Sequence, residues 1–165
     1  MGWSTTAPTL PSGSSWAQKG TTSWENNNIR ITSVISVARL DDGGIAIRIT
    51  ETRTQIGSAY SKDNYMRVDI GSTTGAAYTT DWAANSGVAA SVYYTGTAAA
   101  GVTIKVVVGF RADTSDSLKT VTFAAPDLLG PTLYINVNGT ARNVVKFLLN
   151  VDGTARTVTA AQYNN

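Results

Sequence analysis

An all-β fold, an antiparallel β-sandwich of jelly-roll type with a C-terminal β-hairpin meander, is predicted by three observations. Apolar residues recur with a period of two in several short runs. Those runs are broken by Gly-, Asn- and Asp-rich turns. No window of a dozen residues carries a 3.6-residue apolar stripe, and β-branched residues dominate the apolar positions. At 165 residues the chain fits one domain with a small appendage. A domain of this size buries roughly 70% of the surface its unfolded chain exposes, so it needs no covalent staple.

Residues 1–28 are rich in turn formers, with Pro8, Pro11, Gly13 and Gly20 and three consecutive Asn residues. They read as an extended arm. Yet Trp3, Trp16 and Trp24 sit within it, and disordered tails are poor in aromatics. The arm is therefore expected to dock, on its own domain or on a neighbouring subunit.

From Ile29 the alternation begins. Ile29, Ile31, Ile35 and Val37 alternate with Arg30, Thr32, Ser36 and Ala38. "DDGG" (41–44) turns the chain, and Ile45, Ile47 and Ile49 answer with a second strand. Residues 65–70 form a third. The stretch 71–87 reads as a loop holding Tyr78 and Trp82, and Val88 to Thr95 as a fourth strand. Val102, Ile104, Val106, Val108 and Phe110 give the cleanest alternation, returned after "ADTSDS" by Leu118 to Ala124. These elements place a sandwich at 29–125. "APDLLGPT" is a boundary, because Pro126 and Pro131 cannot serve a central strand, and 126–133 is a linker.

The final module, 134–165, contains a duplication. Asn136-Val137-Asn138-Gly139-Thr140-Ala141-Arg142 returns as Asn150-Val151-Asp152-Gly153-Thr154-Ala155-Arg156. Each copy reads as strand, turn, strand. Asn-Gly and Asp-Gly tolerate the positive φ that a two-residue hairpin turn requires, so Asn138, Gly139, Asp152 and Gly153 are the structural turns. Tyr134 to Val137 should pair with Thr140 to Val144, and Leu149 to Val151 with Thr154 to Val158. Arg142 and Arg156 fall at equivalent positions and are candidate partner contacts, as are Trp3, Trp16 and Trp24.

The chain has no His and no Cys. His-based acid–base catalysis, thiol chemistry, disulfides and Cys or His metal sites are therefore excluded. No cofactor motif occurs: there is no GxGxxG and no Walker A sequence. Catalysis would have to rest on paired carboxylates drawn from Asp41, Asp42, Glu51, Asp63, Asp69, Asp81, Asp113 and Asp116, most of which lie in turn signals. Asp113, Ser115 and Asp116 fall short of a calcium cage, which needs six or more oxygen ligands. Neither catalytic, cofactor nor metal residues are expected. Tyr78, Trp82, Tyr93 and Tyr94 are candidate glycan contacts, against the alternative that they plug the open margins of a sandwich.

Charged residues make up 15% of the chain, against about 25% in an average globular protein. A net charge of +2 is too small and scattered for a nucleic-acid partner. No apolar run is long enough to span a membrane as a helix. No signal-peptide pattern appears in the first 28 residues, and the bulky Trp3 fits the myristoylation pattern begun by Met1-Gly2 poorly. Synthesis in a cytoplasm is expected.

The repeat also carries a family resemblance. "YINVNGTARNVVKFLLNVDGTAR" is similar to the tandem units of the form "YIGVNGVARKVKKAYIGVDGVAR" that end phage tail-associated proteins of Gram-positive hosts. It preserves the Asn-to-Asp change between copies, with Thr140 and Thr154 where an aliphatic residue usually follows Gly. The resemblance is confined to residues 134–158. It implies a non-enzymatic virion structural protein, a tail-fibre or tail-tip component, in contact with other virion proteins. A homo-oligomer is expected separately, from the low charge, the strand edges and the Trp-bearing arm, with a trimer first by analogy with tail fibres. The alternatives are a receptor-binding module recognising a bacterial surface glycan, and a capsid decoration protein. A carboxylate glycosidase ranks last.

Overall fold

The computed structural model describes residues 2–25, 27–41, 43–57, 63–81, 90–111, 116–128, 134–137, 140–143, 148–151 and 154–157. Contacts divide the chain into two units, Met1–Leu129 and Gly130–Asn165. Among the described residues there is no helix.

The first unit is a β-sandwich. Its strands are β1 (Gly2–Ser4), β2 (Ala17–Glu25), β3 (Ile29–Arg39), β4 (Gly44–Gln55), β5 (Asp63–Ile70), β6 (Tyr78–Asp81), β7 (Ala90–Thr97), β8 (Thr103–Arg111) and β9 (Asp116–Ala124). One sheet has the order β1-β7-β4-β3-β2 and the other β6-β5-β8-β9. Every ladder is antiparallel.

The isoleucine alternation is the reason for the core. Ile35, Val37, Ile45, Ile47, Ile49 and Val92 from the first sheet meet Met66, Val68, Ile104, Val106 and Val108 from the second. All are nearly inaccessible. Each fully buried aliphatic contributes roughly 1.5–3 kcal/mol of transfer free energy, so this cluster supplies most of what holds the sheets together. The β3–β4 hairpin closes through Gly43, at φ 74°, with the Gly44 amide donating to the Asp41 carbonyl at 3.0 Å. Positive φ at the last loop position is what a three-residue hairpin loop demands.

Two expectations need correction. Residues 1–28 are not an arm lying outside the sandwich. Their ends are β1 and β2, the two edge strands of the five-stranded sheet. Alternation in β2 is hidden because its inward positions are Gly20, Thr22 and Trp24. A register shift between Gln18 and Gly20 accommodates Lys19. The stretch 71–87 likewise contains β6, whose four residues are too few to show a period. β4 runs on past Ile49 to Gln55, because its inward phase is continued by Glu51 and Arg53 rather than by aliphatics.

The connection from β1 to β2, residues 5–16, crosses the outer face of the five-stranded sheet. Ser14 Oγ donates to the Arg39 carbonyl at 2.5 Å. The Trp16 ring lies 5.9 Å from that of Tyr93 and 4.9 Å from the Arg48 guanidinium carbon. Beneath it Ser36, Ala38 and Ala46 are buried although they point away from the core.

Along the side where β2 overlies β9, Gly20 faces Val121. A Cβ on Gly20 would lie 2.7 Å from Val121 Cγ1. Gly20→Val is expected to prise these edges apart and to cost about 1–3 kcal/mol, the usual range for overpacking. A denaturant midpoint equal to that of the parent would refute this.

In the second unit, β10 (Tyr134–Val137) pairs with β11 (Thr140–Asn143), and β12 (Leu148–Val151) with β13 (Thr154–Thr157). The four strands form two separate two-stranded sheets, with no ladder between the hairpins among the described residues.

Candidate functional site

The sequence-predicted aromatic contacts fall into separate places. Trp3 pairs in register with Tyr94. Its indole stacks on Tyr78 at 5.4 Å, meets Tyr94 edge-on at 5.3 Å, and donates from Nε1 to the Ala76 carbonyl at 3.1 Å. All three rings pack against the main core. Burial pushes the Tyr94 hydroxyl pKa up from its usual value. Tyr78 and Tyr94 thus close the margin of the sandwich beside β1. Tyr93 lies on the opposite face of the sheet, against Trp16 and Arg48. Trp24 packs on Ile29 and Ile31 in a small separate cluster. The fourth candidate glycan contact, Trp82, lies outside the described residues. The three that are described do not share one surface.

A polar layer crosses the interior between the main core and the Ile29–Ile31 cluster. Glu51 and Arg53 on β4, Ser33 on β3 and Asn64 on β5 are all inaccessible to solvent. Ser33 Oγ donates to Glu51 Oε1 at 2.9 Å, and Asn64 Nδ2 donates to Glu51 Oε2. Asn64 thereby ties the second sheet to the first. Burial pushes the Glu51 carboxyl up to about 7, although the Ser33 and Asn64 bonds and the Arg53 charge all pull it down. A carboxyl this far from its ordinary range is often a catalytic acid. Here its side chain is inaccessible to solvent, and its two oxygens accept from Ser33 on one sheet and Asn64 on the other. The sequence signal was available, since Glu51 and Arg53 continue the phase of Ile45, Ile47 and Ile49.

A second carboxylate with defined partners, on β5, is Asp69. Arg67 holds it at both oxygens, with Nε to Oδ1 at 2.9 Å and Nη2 to Oδ2 at 3.1 Å. Tyr65 accepts from the same guanidinium at 3.2 Å. The Gly75 amide also donates to Asp69 Oδ1, at 3.1 Å. Among the described residues no three acidic side chains gather into a metal site. Asp42, Asp113 and Ser115 lie outside the described residues.

Gly75 fits only because it has no side chain: a Cβ there would sit 2.0 Å from the Val68 carbonyl oxygen. Backbone cannot yield as a side-chain tip can. Gly75→Ala is expected to displace the 71–77 segment and to cost about 2 kcal/mol or more. Thermal melting that leaves Tm within a degree of the parent would contradict it.

The two repeats share one register. Val137 pairs with Thr140 and Ile135 with Arg142; Val151 pairs with Thr154 and Leu149 with Arg156. Arg142 and Arg156 therefore occupy the same ladder position. Two residues separate the paired ends in each copy, Asn138-Gly139 and Asp152-Gly153. These four lie outside the described residues. A two-residue loop between twisted strands requires positive φ, which a β-branched side chain resists. Gly139→Val is expected to destabilise its hairpin by about 1–2 kcal/mol. Asn138→Asp should be silent, since the second copy already carries Asp. Amide exchange across β10 and β11 checks both.

No family model matches the chain, and no curated protein matches it. Among solved structures, the chain is similar to the GAE domain of GGA2p from Saccharomyces cerevisiae, at 17% identity over 66% of this chain and 99% of that one. The TM-score of 0.30 is too low to carry an argument, and the β-sandwich stands on the ladders and the core described above.

Proposed function

We propose that this chain is a non-enzymatic bacteriophage virion protein, associated with the tail, which self-assembles and contacts other virion proteins. The observation that carries the reading is the tandem hairpin pair. The residues that resemble phage tail endings form two hairpins in one register, with Arg142 and Arg156 at the same rung. An isolated two-stranded hairpin is marginally stable in water, so a doubled one suits a module completed by packing on a partner. A non-enzymatic role is supported by a sequence without His or Cys and by the sealed setting of Glu51. A trimer is the leading stoichiometry. Immunogold labelling of particles from a lysate of the encoding host tests the reading. Gold at the tail is expected. Gold on the head would replace the tail assignment with capsid decoration, and unlabelled particles would sink the virion reading.

A glycan-binding role is the second reading. It is favoured by the Trp16–Tyr93 pair, which stands with Arg48 on an outer sheet face. Stacking rings beside a cation suit an acidic sugar polymer. A glycan array carrying bacterial envelope polysaccharides tests it, and no binding to any of them would remove it.

A further inference from the structure

We propose that β1 is an exchangeable strand: Gly2–Ser4 of one copy seats beside β7 of a second copy of this chain, anchored by Trp3. β1 has only three residues, so its ladder is slight. Its hold comes from Trp3, through the rings of Tyr78 and Tyr94 and the Ala76 carbonyl. All three belong to the receiving site, and none to the connection that follows β1. The same contacts form whichever copy supplies the strand, which is what makes exchange of an element a low-cost route to an oligomer.

The connection has the length for it. β1 and β2 lie at opposite edges of the five-stranded sheet, so the chain must pass β7, β4 and β3. Four strand spacings amount to roughly 19 Å. Residues 5–16 reach about 40 Å when extended. Ser4 to Ala7 are exposed, and Thr6 is held only locally, its amide donating to Ser4 Oγ at 2.9 Å. Firm anchorage resumes at Ser14 and Trp16. Pro8 and Pro11 stiffen the segment between, and stiff connections disfavour folding back on the same copy. A strand tethered by a short linker sees its own site at an effective concentration of about millimolar. Exchange therefore belongs to crowded states, such as an assembling particle.

The chain has no cysteine, so engineered thiols report cleanly. Gly2 and Thr95 are register partners, and facing Cα atoms in an antiparallel ladder lie within disulfide reach. Gly2→Cys and Thr95→Cys are placed on separate, differently sized copies, mixed at high concentration in denaturant, refolded together and oxidised. A disulfide joining the two sizes is expected, and Trp3→Ala in the Gly2→Cys copy should remove it. In the double variant, oxidation of folded monomer at high dilution should lock β1 in its own chain and abolish oligomers in light scattering. Absence of the mixed disulfide would overturn exchange, as would oligomers that persist when β1 is locked. Exchange rests on the virion reading only for its setting. A monomeric protein found at the phage tail would sink exchange, and self-assembly with it, and leave the tail assignment intact.

Discussion

Replacing Arg39 with Met is expected to cost about 3–5 kcal/mol, the largest loss from any single exchange in the sandwich. Arg39 ends β3 and is 3% exposed. Its guanidinium donates to backbone carbonyls from three separate segments. Nε serves Pro126 at 3.0 Å and Asp127 at 3.1 Å; Nη1 serves Gly43 at 3.0 Å and Ala98 at 2.6 Å; Nη2 returns to Pro126. One side chain thus joins the end of β9, the β3–β4 turn and the segment after β7. Met fills similar volume but strips these acceptors of their donor in a place water reaches poorly. Each orphaned acceptor costs about 1–3 kcal/mol, softened where another donor exists, as where the Ala98 amide reaches the Gly43 carbonyl at 3.3 Å. Arg39→Lys should recover only part of the loss, since a single ammonium cannot match the planar fork. A domain of ordinary stability has 5–15 kcal/mol in total, so Arg39→Met should be near unfolding at 37 °C. Urea denaturation decides it, and a loss under about 1 kcal/mol would mean the clamp is dispensable.

The second large effect is a stability that falls as pH rises. In the unfolded chain Glu51 releases its proton near 4.5; in the sandwich it holds it to about 7. Between those values the folded state binds more protons than the unfolded one. Stability is therefore greatest below about pH 4.5 with respect to this group, declines through the interval, and is flat above 7. The amplitude is on the order of 3 kcal/mol. Most proteins show the opposite slope from their paired carboxylates. With no His in the chain, this window holds few competing titrations. Glu51→Gln keeps an acceptor for Ser33 or Asn64 and removes the titration, so its profile from pH 4.5 to 7.5 should be flat where the parent falls. Denaturant midpoints at four pH values suffice. Parallel profiles for parent and variant would show that Glu51 does not carry the proton.

What was legible in the sequence follows from where apolar residues mark a period. Ile29 to Val37, Ile45 to Ile49 and Val102 to Phe110 are inner strands, and their alternation is the core itself. The Asn-Gly and Asp-Gly pairs announced the hairpins through backbone chemistry alone. Edge strands were harder to read: β2 turns Gly20 and Thr22 inward, and β1 and β6 span no more than two periods. Buried charge was harder still. Arg39 sits beside a turn signal and looks like any surface arginine, because its partners are carbonyls, which leave no trace in residue identity. The aromatics were read by type, but only the fold separates Tyr93 from Tyr94, neighbours that point to opposite faces.

The position of the Arg39 clamp has a mechanical consequence. β9 is an edge strand, and the backbone leaves it directly for residue 130 and beyond. Tension applied from the C-terminal side would peel β9 from β8 one hydrogen bond at a time, the weakest way to load a ladder. The guanidinium grips Pro126 and Asp127, just past the last rung, so the pull meets several charge-assisted bonds together before any rung of β9 is strained. The sandwich is thereby braced at the point where a pull on the chain beyond Asp127 would enter it.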